Sequence, residues 1–428
     1  MVDRGGPTRA LSLLLLAAAA VAVSAQSTEY PPLDGVGNNK ANPTWGAAGT
    51  PYIRQQVPQD AFGPTGSAMT GSNRPSARAV SLALTNSPYF KAASRYNTSY
   101  LLSALGQLVS GDINRLESDA GSNGGAAPIP IPPGDPLFAQ FKDGAALEGS
   151  RPALNFMRSA YVMGPGPNAS RQALNKATSF IDASGLYGED ENTSQAIRAG
   201  TAGLLLDDGQ RLLPFNRDKD TGRPILPMKN AAGRVPATQL RLSGNGNVNQ
   251  NPLPLTLTTL MLREHNRRAL QLAQEHPDWG DEQVFQGARK WVVAHMQRIT
   301  LVDYLTGLGI LLQPYLGYNA TLNPTTDTFF STVAYRYGHS TIADVILRLG
   351  PDWQEHPKGH LSMAASYYNP NVVLMAGLEP LLRGLIAMPQ GEIESRWAWQ
   401  AAVPHHLLQR SHLVADDAGC AAFASEGH

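Results

Sequence analysis

The sequence predicts a mainly α protein, built as a single large helical domain with long loops and little strand. In the second half, apolar residues recur every three or four positions over long stretches, which is the spacing of a buried helix face. Alternation of apolar and polar residues, which is typical of strands, is sparse. The 428 residues include 41 glycines and 32 prolines, and this content indicates long irregular segments between the helices.

The first half of the chain is predicted to consist of loops around one helix. Residues 26–85 are rich in Gly, Pro, Asn and Ser, which predicts an extended arm wrapped on a helical core formed by residues 86–395. Apolar residues at helical spacing predict a helix over residues 87–111 at the start of this core. Three later segments are rich in turn residues and are expected to be loops: residues 121–136, 178–188 and 203–246.

Three long helices are predicted in the second half. The first covers residues 255–275 and stops before a proline, which cannot continue a helix. The second covers residues 281–308 with Asp281 as its N-cap, and the third covers residues 325–349. The chain has no internal repeat, so a solenoid is not indicated.

Composition and missing motifs exclude several classes of protein. Lys+Arg and Asp+Glu both number 34, so the formal charge is zero and argues against binding of nucleic acid through bulk charge. Cys420 is the single cysteine, which excludes a disulfide within the chain and any CxxC site. The sequence also lacks HExxH, GxSxG and GxxxxGK[ST], so thermolysin-like zinc sites, nucleophile elbows and phosphate-binding loops are not indicated.

The N-terminus predicts a secreted protein. Arg4 and Arg9 precede an apolar run over residues 11–23, and small residues before Gln26 predict a cleavable signal peptide over residues 1–25. An uncleaved membrane anchor is the alternative. Later apolar stretches are too short to cross a bilayer, so no membrane span is expected in the mature chain. Four Asn-x-Ser/Thr sites agree with a secretory route: Asn97, Asn168, Asn192 and Asn319.

His339 is the most interesting histidine. All ten histidines lie at or after position 265, so acid–base and metal chemistry based on histidine is confined to the second half. Gly338 leaves room beside His339 for a flat ligand, and Tyr335, Arg336 and Tyr337 could line a macrocycle and pair with its carboxylate arm. The alternative is a histidine satisfied within the core, and that alternative applies equally to His265.

A second group of candidates is spaced by two along the 178–188 loop. In an extended segment, Thr178, Phe180, Asp182 and Ser184 would point two hydroxyls, a backbone carbonyl and a carboxylate to the same side. Such hard oxygen ligands suit calcium, which takes 6–8 of them, and one more carboxylate would complete the set. An ordinary turn is the alternative.

Eight short motifs occur in order along the chain: residues 34–39 with 43–46, 74–78, 106–107, 131–136, 178–184 with 187–188, 263–267, 335–339 and 381–385. By these motifs the sequence resembles the animal haem peroxidase superfamily, in the branch of peroxidasin and dual-oxidase peroxidase-like domains, over residues 30–395. The resemblance implies haem b and calcium as cofactors, and hydrogen peroxide with an unspecified reductant as substrates.

The resemblance also implies roles for individual residues. His339 corresponds to the proximal ligand of the haem iron, and Arg336 to its neighbour beside a haem propionate. The calcium ligands would come from the five positions Asp112, Thr178, Phe180 (through its carbonyl), Asp182 and Ser184.

The sequence departs from the family at the distal side of the haem. The distal histidine, which moves the peroxide proton, corresponds to Gly111, and the distal arginine corresponds to Asn247. The two carboxylates that form ester bonds to haem correspond to Ser110 and Gln250, so any haem is expected to be bound without these ester bonds. Gln107, at the family's halide site, is retained. Losing general acid–base help costs about 10²–10⁴ in rate, and losing one charge donor about 10²–10³.

Residues 396–428 form a divergent tail without a visible counterpart in the family, where an Asn partner of the proximal histidine would be expected. This tail is either a genuine C-terminus or the product of a truncated or misread frame, and a fragment that does not fold stably is a further alternative. The sequence leaves three functions open: a peroxidase with impaired turnover, a non-catalytic module that binds haem and calcium, and a fatty-acid dioxygenase. The dioxygenase needs a radical tyrosine where this chain has Arg336.

Overall fold

A computed structural model describes residues 30–54, 75, 77–85, 93–116, 125–131, 153–154, 156–163 and 171–393. By its contacts the chain divides into two units, Met1–Pro32 and Leu33–His428, and every element below belongs to the second. The predicted signal peptide and the tail over residues 396–428, with Cys420, lie outside the described residues. So does most of the predicted loop over residues 121–136.

The described part of the chain is mainly α, as predicted. Its α-helices are α1 Ala77–Thr85, α2 Leu101–Ile113, α3 Ser184–Tyr187, α4 Glu191–Ala196, α5 Pro252–Glu275, α6 Asp281–Arg298, α7 Leu305–Gly307, α8 Thr328–Thr332, α9 Met363–Ser366, α10 Pro370–Leu374 and α11 Glu379–Ala387. A π-helix (Ile299–Tyr304) joins α6 to α7, and 3₁₀-helices cover Ala237–Gln239 and Ala334–Thr341. The segment over residues 203–246 is otherwise irregular, as predicted.

Strands are few and short, as predicted. They are β1 Thr50–Pro51, β2 Ile129–Pro130, β3 Ala153–Leu154, β4 Tyr161–Met163, β5 Arg171–Asn175, β6 Val345–Ile346 and β7 Leu361–Ser362. An antiparallel sheet has the order β1-β5-β4, with Thr50 opposite Asn175, and two antiparallel pairs are β2-β3 and β6-β7. The arm therefore contributes β1 to the edge of this sheet. Its last part, α1, is helical and not extended.

The predicted helix over residues 87–111 begins later than expected, at Leu101. The preceding residues 93–100 pair with the chain around residue 390 instead. The Ser94 N–H donates to the Gln390 carbonyl at 2.9 Å, and the Tyr100 N–H donates to the Met388 carbonyl at 2.8 Å. These long-range bonds use the backbone groups that a helix would need, so the apolar periodicity was overridden by tertiary pairing.

The helix predicted over residues 255–275 is confirmed as α5, which starts three residues earlier. Asn251 caps it, because its Oδ1 accepts the Leu253 N–H at 2.9 Å, and Pro252 occupies the first turn. The stretch over residues 281–308 is also helical, although residues 299–304 near its end form the π-helix.

The expected capping role of Asp281 is wrong, because the N-cap of α6 is Gly280. The backbone N–H of Gly280 donates to the Gln283 side chain at 3.0 Å. Asp281 is the first residue of the helix, and its Oδ1 accepts the Gly203 N–H at 2.7 Å. Its carboxylate therefore ties α6 to a neighbouring loop.

The single helix predicted over residues 325–349 is wrong. The structure has the short helix α8, a break at Val333 (φ −124°, ψ −68°), the 3₁₀-helix, and then strand β6. His339 consequently lies near the end of a tight 3₁₀ segment and not in the middle of a long α-helix. Because 3₁₀ hydrogen-bond geometry is poor, runs longer than about 3–4 residues are uncommon, and this segment of 8 residues is unusually long.

The core packs α2, α5 and α6 around fully buried residues that include Leu253, Leu255 and Phe285. His265 of α5 is part of this core. Its Nε2 lies 2.8 Å from the Gly203 carbonyl, which can only accept, so Nε2 carries the proton. Its Nδ1 therefore accepts from the Tyr187 hydroxyl at 2.9 Å. Burial lowers the pKa of His265 to about 4.

We expect His265 to make the fold acid-sensitive. Because its pKa falls from about 6.5 in the unfolded chain to about 4 in the folded chain, its neutral form stabilises the fold above pH 6.5. This contribution, about 3 kcal/mol at most, is lost as the pH falls from 6.5 to 4. Denaturant unfolding of the wild type and His265→Gln across this range measures the difference in slope.

Contributions from carboxyl groups cancel in this comparison, because both proteins contain the same ones. His295→Gln is the matched control for the loss of a histidine, since the His295 side chain is exposed. Parallel pH dependences of the wild type and His265→Gln would contradict the assignment.

Candidate functional site

A cavity of about 360 Å³ brings together residues that are far apart in the sequence. Its walls come from α2, from residues 245–251 and from the 3₁₀-helix. Seven positions that the family resemblance relates to the haem site line it: Gln107, Ser110, Gly111, Asn247, Gln250, Arg336 and His339. The volume is within the range of small-molecule and cofactor sites.

One wall is the 3₁₀-helix with His339, Gly338 and Arg336, all half-buried against the cavity. A Cβ atom at Gly338 would have no heavy atom within 4 Å, so the space beside His339 is open. This is the arrangement expected from the sequence for a flat ligand placed next to the histidine.

Three tyrosine hydroxyls form a hydrogen-bonded cluster on the cavity wall. The Tyr304 hydroxyl lies 2.6 Å from that of Tyr337, and the Tyr335 hydroxyl donates to Tyr304 at 3.2 Å. Burial raises the pKa of all three. A Cβ atom at Gly106 would lie 2.8 Å from the Tyr304 hydroxyl, so only glycine admits this contact. Sequence reasoning missed Tyr304, because the π-helix sets the direction of its side chain.

Another wall carries five carboxamide side chains, which we call the amide wall: Gln107, Asn245, Asn247, Gln250 and Asn251. Asn251 Nδ2 donates to Gln107 Oε1 at 3.1 Å, and Gln107 Nε2 lies 3.5 Å from Gln250 Oε1. At Gly111, a Cβ atom would lie 2.8 Å from Asn245 Nδ2. None of these side chains titrates, so the amide wall can donate and accept hydrogen bonds but cannot carry a proton.

The cavity lining is cationic. Its basic side chains are Arg54, Arg115, Arg158, Arg171, Lys229 and Arg336, and no Asp or Glu occurs among the described lining residues. Arg115 pairs with Glu189 at 2.6 Å, from outside the cavity. A ligand that carries carboxylates suits such a lining.

The oxygen atoms of the 178–184 loop converge on Asp112, at the end of α2. Thr178 Oγ1 lies 2.6 Å from Asp182 Oδ2 and 3.3 Å from the Phe180 carbonyl. Ser184 Oγ lies 3.3 Å from Asp112 Oδ1. All five calcium ligands predicted from the sequence are therefore brought together within one cluster.

Asp112 and Asp182 are buried carboxylates in the same cluster. Burial, followed by the charge of Asp182, raises the pKa of Asp112 well above its ordinary value. Burial also raises the pKa of Asp182. Backbone N–H groups of residues 182, 183 and 185 donate to Asp112 at 3.1–3.2 Å, which offsets part of the cost.

Two negative findings limit other interpretations of the molecule. Within the described residues, no three His, Cys, Asp or Glu side chains form a metal-binding group, so a transition-metal centre of protein ligands is not seen there. The helices in the same part of the chain include none with both the length and the apolar character needed to cross a bilayer.

The chain is similar to curated peroxidases. Residues 30–421 match the family model described as animal haem peroxidase. Pig (Sus scrofa) thyroid peroxidase is 31% identical over 85% of this chain and 43% of its own length. Human myeloperoxidase is 30% identical over 85% of the chain and 52% of its length, and dual oxidase of Drosophila melanogaster is 32% identical over 78% and 21%. The chain spans about half or less of the length of these relatives.

Solved structures agree with the family model. Peroxidase A from Dictyostelium discoideum matches with a TM-score of 0.78 and 26% identity, over 92% of this chain and 76% of its own. Fatty acid alpha-dioxygenase of Oryza sativa has a similar fold, with a TM-score of 0.64 over 85% of this chain and 59% of its own, at 17% identity. The match beyond residue 395 shows that the family model extends into the segment expected to diverge. The chain belongs to the animal haem peroxidase family.

Proposed function

We propose that this protein binds haem b through His339, without ester bonds, and binds a structural calcium ion at Asp112 and the 178–184 loop. The observation that carries the haem proposal is the cavity, because it unites His339 and Arg336 with Gln107 and with the distal positions Gly111 and Asn247. Relatives named as peroxidases support hydrogen peroxide as the oxidant, with an unidentified reductant as the donor.

The residues of the cavity fit a haem group. The open space beside Gly338 accommodates a flat ring next to His339, and Arg336 carries a positive charge for a propionate. The cationic lining suits a ligand with two carboxylates. When bound, haem would supply the iron that exchanges electrons with peroxide, and His339 would hold and orient that iron.

The amide wall favours the interpretation that any reaction with peroxide is slow. Peroxide reduction needs a group that takes a proton from one oxygen and returns it to the other, and Gly111 cannot do so. Asn247 carries no positive charge to stabilise the separating oxygens. A non-catalytic module that binds haem and calcium is therefore the second candidate function. The dioxygenase alternative loses support, because the position of the radical tyrosine holds Arg336.

The 178–184 cluster fits calcium through the chemistry of its donors. Two carboxylates, two hydroxyls and the Phe180 carbonyl are hard oxygen ligands, and waters could complete a set of 6–8. When no cation is near, burial and the charge of Asp182 oppose ionisation of Asp112 and raise its pKa. A divalent cation bound between the two carboxylates would favour their ionised forms instead.

Secretion remains part of the proposal. Asn97, Asn192 and Asn319, at three of the four Asn-x-Ser/Thr sites, are exposed and could accept a glycan, while Asn168 lies outside the described residues.

Haemin titration of the secreted protein, followed by absorption spectroscopy, tests the role of His339. We expect a sharp Soret band that His339→Ala abolishes and that His295→Ala, an exposed control, leaves intact. Gly338→Leu should also weaken haemin binding, because its side chain would enter the open space, while the haem-free protein keeps its melting temperature. A Soret band identical in all four proteins would mean that haemin binds elsewhere.

Restoring the distal groups should restore turnover. We expect the haemin-loaded wild type to react slowly with hydrogen peroxide, and Gly111→His/Asn247→Arg to oxidise a phenolic donor at least about 10²-fold faster. The new histidine requires the Asn245 amide to move, which costs its hydrogen bond to the Asn247 N–H. Stopped-flow spectroscopy measures both proteins. A fast peroxide reaction of the wild type would show that another group moves the proton.

Calcium should stabilise the protein through Asp112 and Asp182. At calcium 100-fold above its dissociation constant, the gain is about 2.7 kcal/mol. In Asp182→Asn this gain should disappear, while the calcium-free variant is as stable as the wild type or more so, because one buried charge is removed. Melting curves with calcium or chelator measure both effects. Asp278→Asn, an exposed control, should respond to calcium like the wild type, and an equal response from Asp182→Asn would exclude the site.

A further inference from the structure

Backbone hydrogen bonds fix the orientation of two side-chain amides in the amide wall. Asn251 Oδ1 accepts the Leu253 N–H at 2.9 Å, and Asn245 Oδ1 accepts the Asn247 N–H at 2.9 Å. Both are bonds from a side chain to the backbone two residues on, which define an Asx turn. A backbone N–H can only donate. Neither amide can therefore be turned over without losing this bond, and the NH₂ group of each must point away from its own turn.

The fixed orientation of the Asn251 amide in turn fixes the orientation of the Gln107 amide. Because Asn251 Oδ1 is already used, Asn251 presents Nδ2 to Gln107, and Gln107 must answer with its oxygen, at 3.1 Å. The other polar atom of this amide, Gln107 Nε2, therefore faces the rest of the amide wall. Its contact with Gln250 Oε1, at 3.5 Å, is long and uses one of its two hydrogens at most.

Burial of Asn251 protects its hydrogen bond to Gln107. Asn251 is only 3% exposed, so water does not compete for its side chain. Pro252 at the start of α5 has a fixed φ angle, which limits the motion of the turn. Gln107 is half-buried and lines the cavity, so its NH₂ group is accessible to a ligand there.

We propose that Asn251 is a positioning residue: it locks the Gln107 amide with its NH₂ group toward the cavity, as a hydrogen-bond donor to a small anion bound there. The inference rests on the proposed haem site, because the anion would bind to the haem iron. It assigns the capping residue of α5 a second task beyond helix stability.

The test uses azide as the anion and the haemin-loaded full chain. Asn251→Asp keeps the helix cap, since Asp and Asn cap equally well, but it can only accept. Gln107 would then turn its NH₂ group to the introduced carboxylate and its oxygen to the cavity. Asn251→Ser also keeps the cap, and it removes the bond to Gln107 without adding charge. Asn247→Asp is the matched control, because it adds the same charge to the same wall without touching Gln107.

We expect azide to bind Asn251→Asp about tenfold more weakly than Asn247→Asp, which corresponds to one lost hydrogen bond to an anion. Asn251→Ser should lie between the wild type and Asn251→Asp. Melting temperatures of the haem-free variants check that α5 remains capped. Equal azide affinities of Asn251→Asp and Asn247→Asp, or a wild-type affinity of Asn251→Ser, would overturn the proposal.

A second measurement does not depend on haem. In the haem-free protein, the side-chain NH₂ protons of Gln107 are observed by ¹⁵N-resolved NMR. Asn251→Asp should shift them strongly, because they then donate to a carboxylate, whereas Asn247→Asp should not. If haemin fails to bind while these protons shift, the haem proposal is wrong and the positioning role stands. Unshifted protons in Asn251→Asp would refute the positioning role itself.

Discussion

The buried carboxylate of Asp112 is the constraint on which the site depends. It sits in the last turn of α2, and its oxygens accept backbone N–H groups from residues 182, 183 and 185. The same helix carries Gln107 and Gly111 on the face that lines the cavity. A shift of the Asp112 anchor would therefore move one cavity wall. Calcium and haem would act on the two faces of one helix, which couples the stability of one site to the geometry of the other.

Buried hydrogen bonds also connect this loop to α5. Tyr187 follows the 178–184 loop directly and donates to His265, which in turn donates to Gly203. This chain of buried hydrogen bonds connects the proposed calcium site to α5, and α5 is capped by Asn251 of the amide wall. Both ends of the wall, α2 and the start of α5, are thus held by buried polar groups. Such groups are expensive to leave unsatisfied, so they favour one arrangement over its alternatives.

The sequence was sufficient where local signals agree with tertiary packing. The helix α5 follows from apolar spacing and a proline stop, and the convergence of oxygen atoms in the 178–184 loop follows from donors two residues apart. Asp112 could be added only through the family resemblance, since nothing local links it to residue 178. Periodicity failed around His339 and before Leu101, because the backbone there is committed to a break at Val333 or to long-range pairing. The contacts of Tyr304 were invisible, because a π-helix changes which way a side chain points.

Catalytic peroxidases combine two properties, haem binding and proton transfer, and a cavity wall made of amides is compatible with the first but not with the second. Holding haem needs a ligand, a flat space and positive charge, and the proposed haem site would take all three from the 3₁₀-helix and from the basic side chains of the cavity lining. Moving a proton needs a group whose charge changes, and Gly111 and Asn247 supply none. Gly111 and Asn247 lie outside the 3₁₀-helix that carries His339 and Arg336, so the two positions are separate in the chain from the residues proposed to hold haem. In the proposed haem site, the distal positions would therefore offer hydrogen bonds from amides in place of a group that moves a proton.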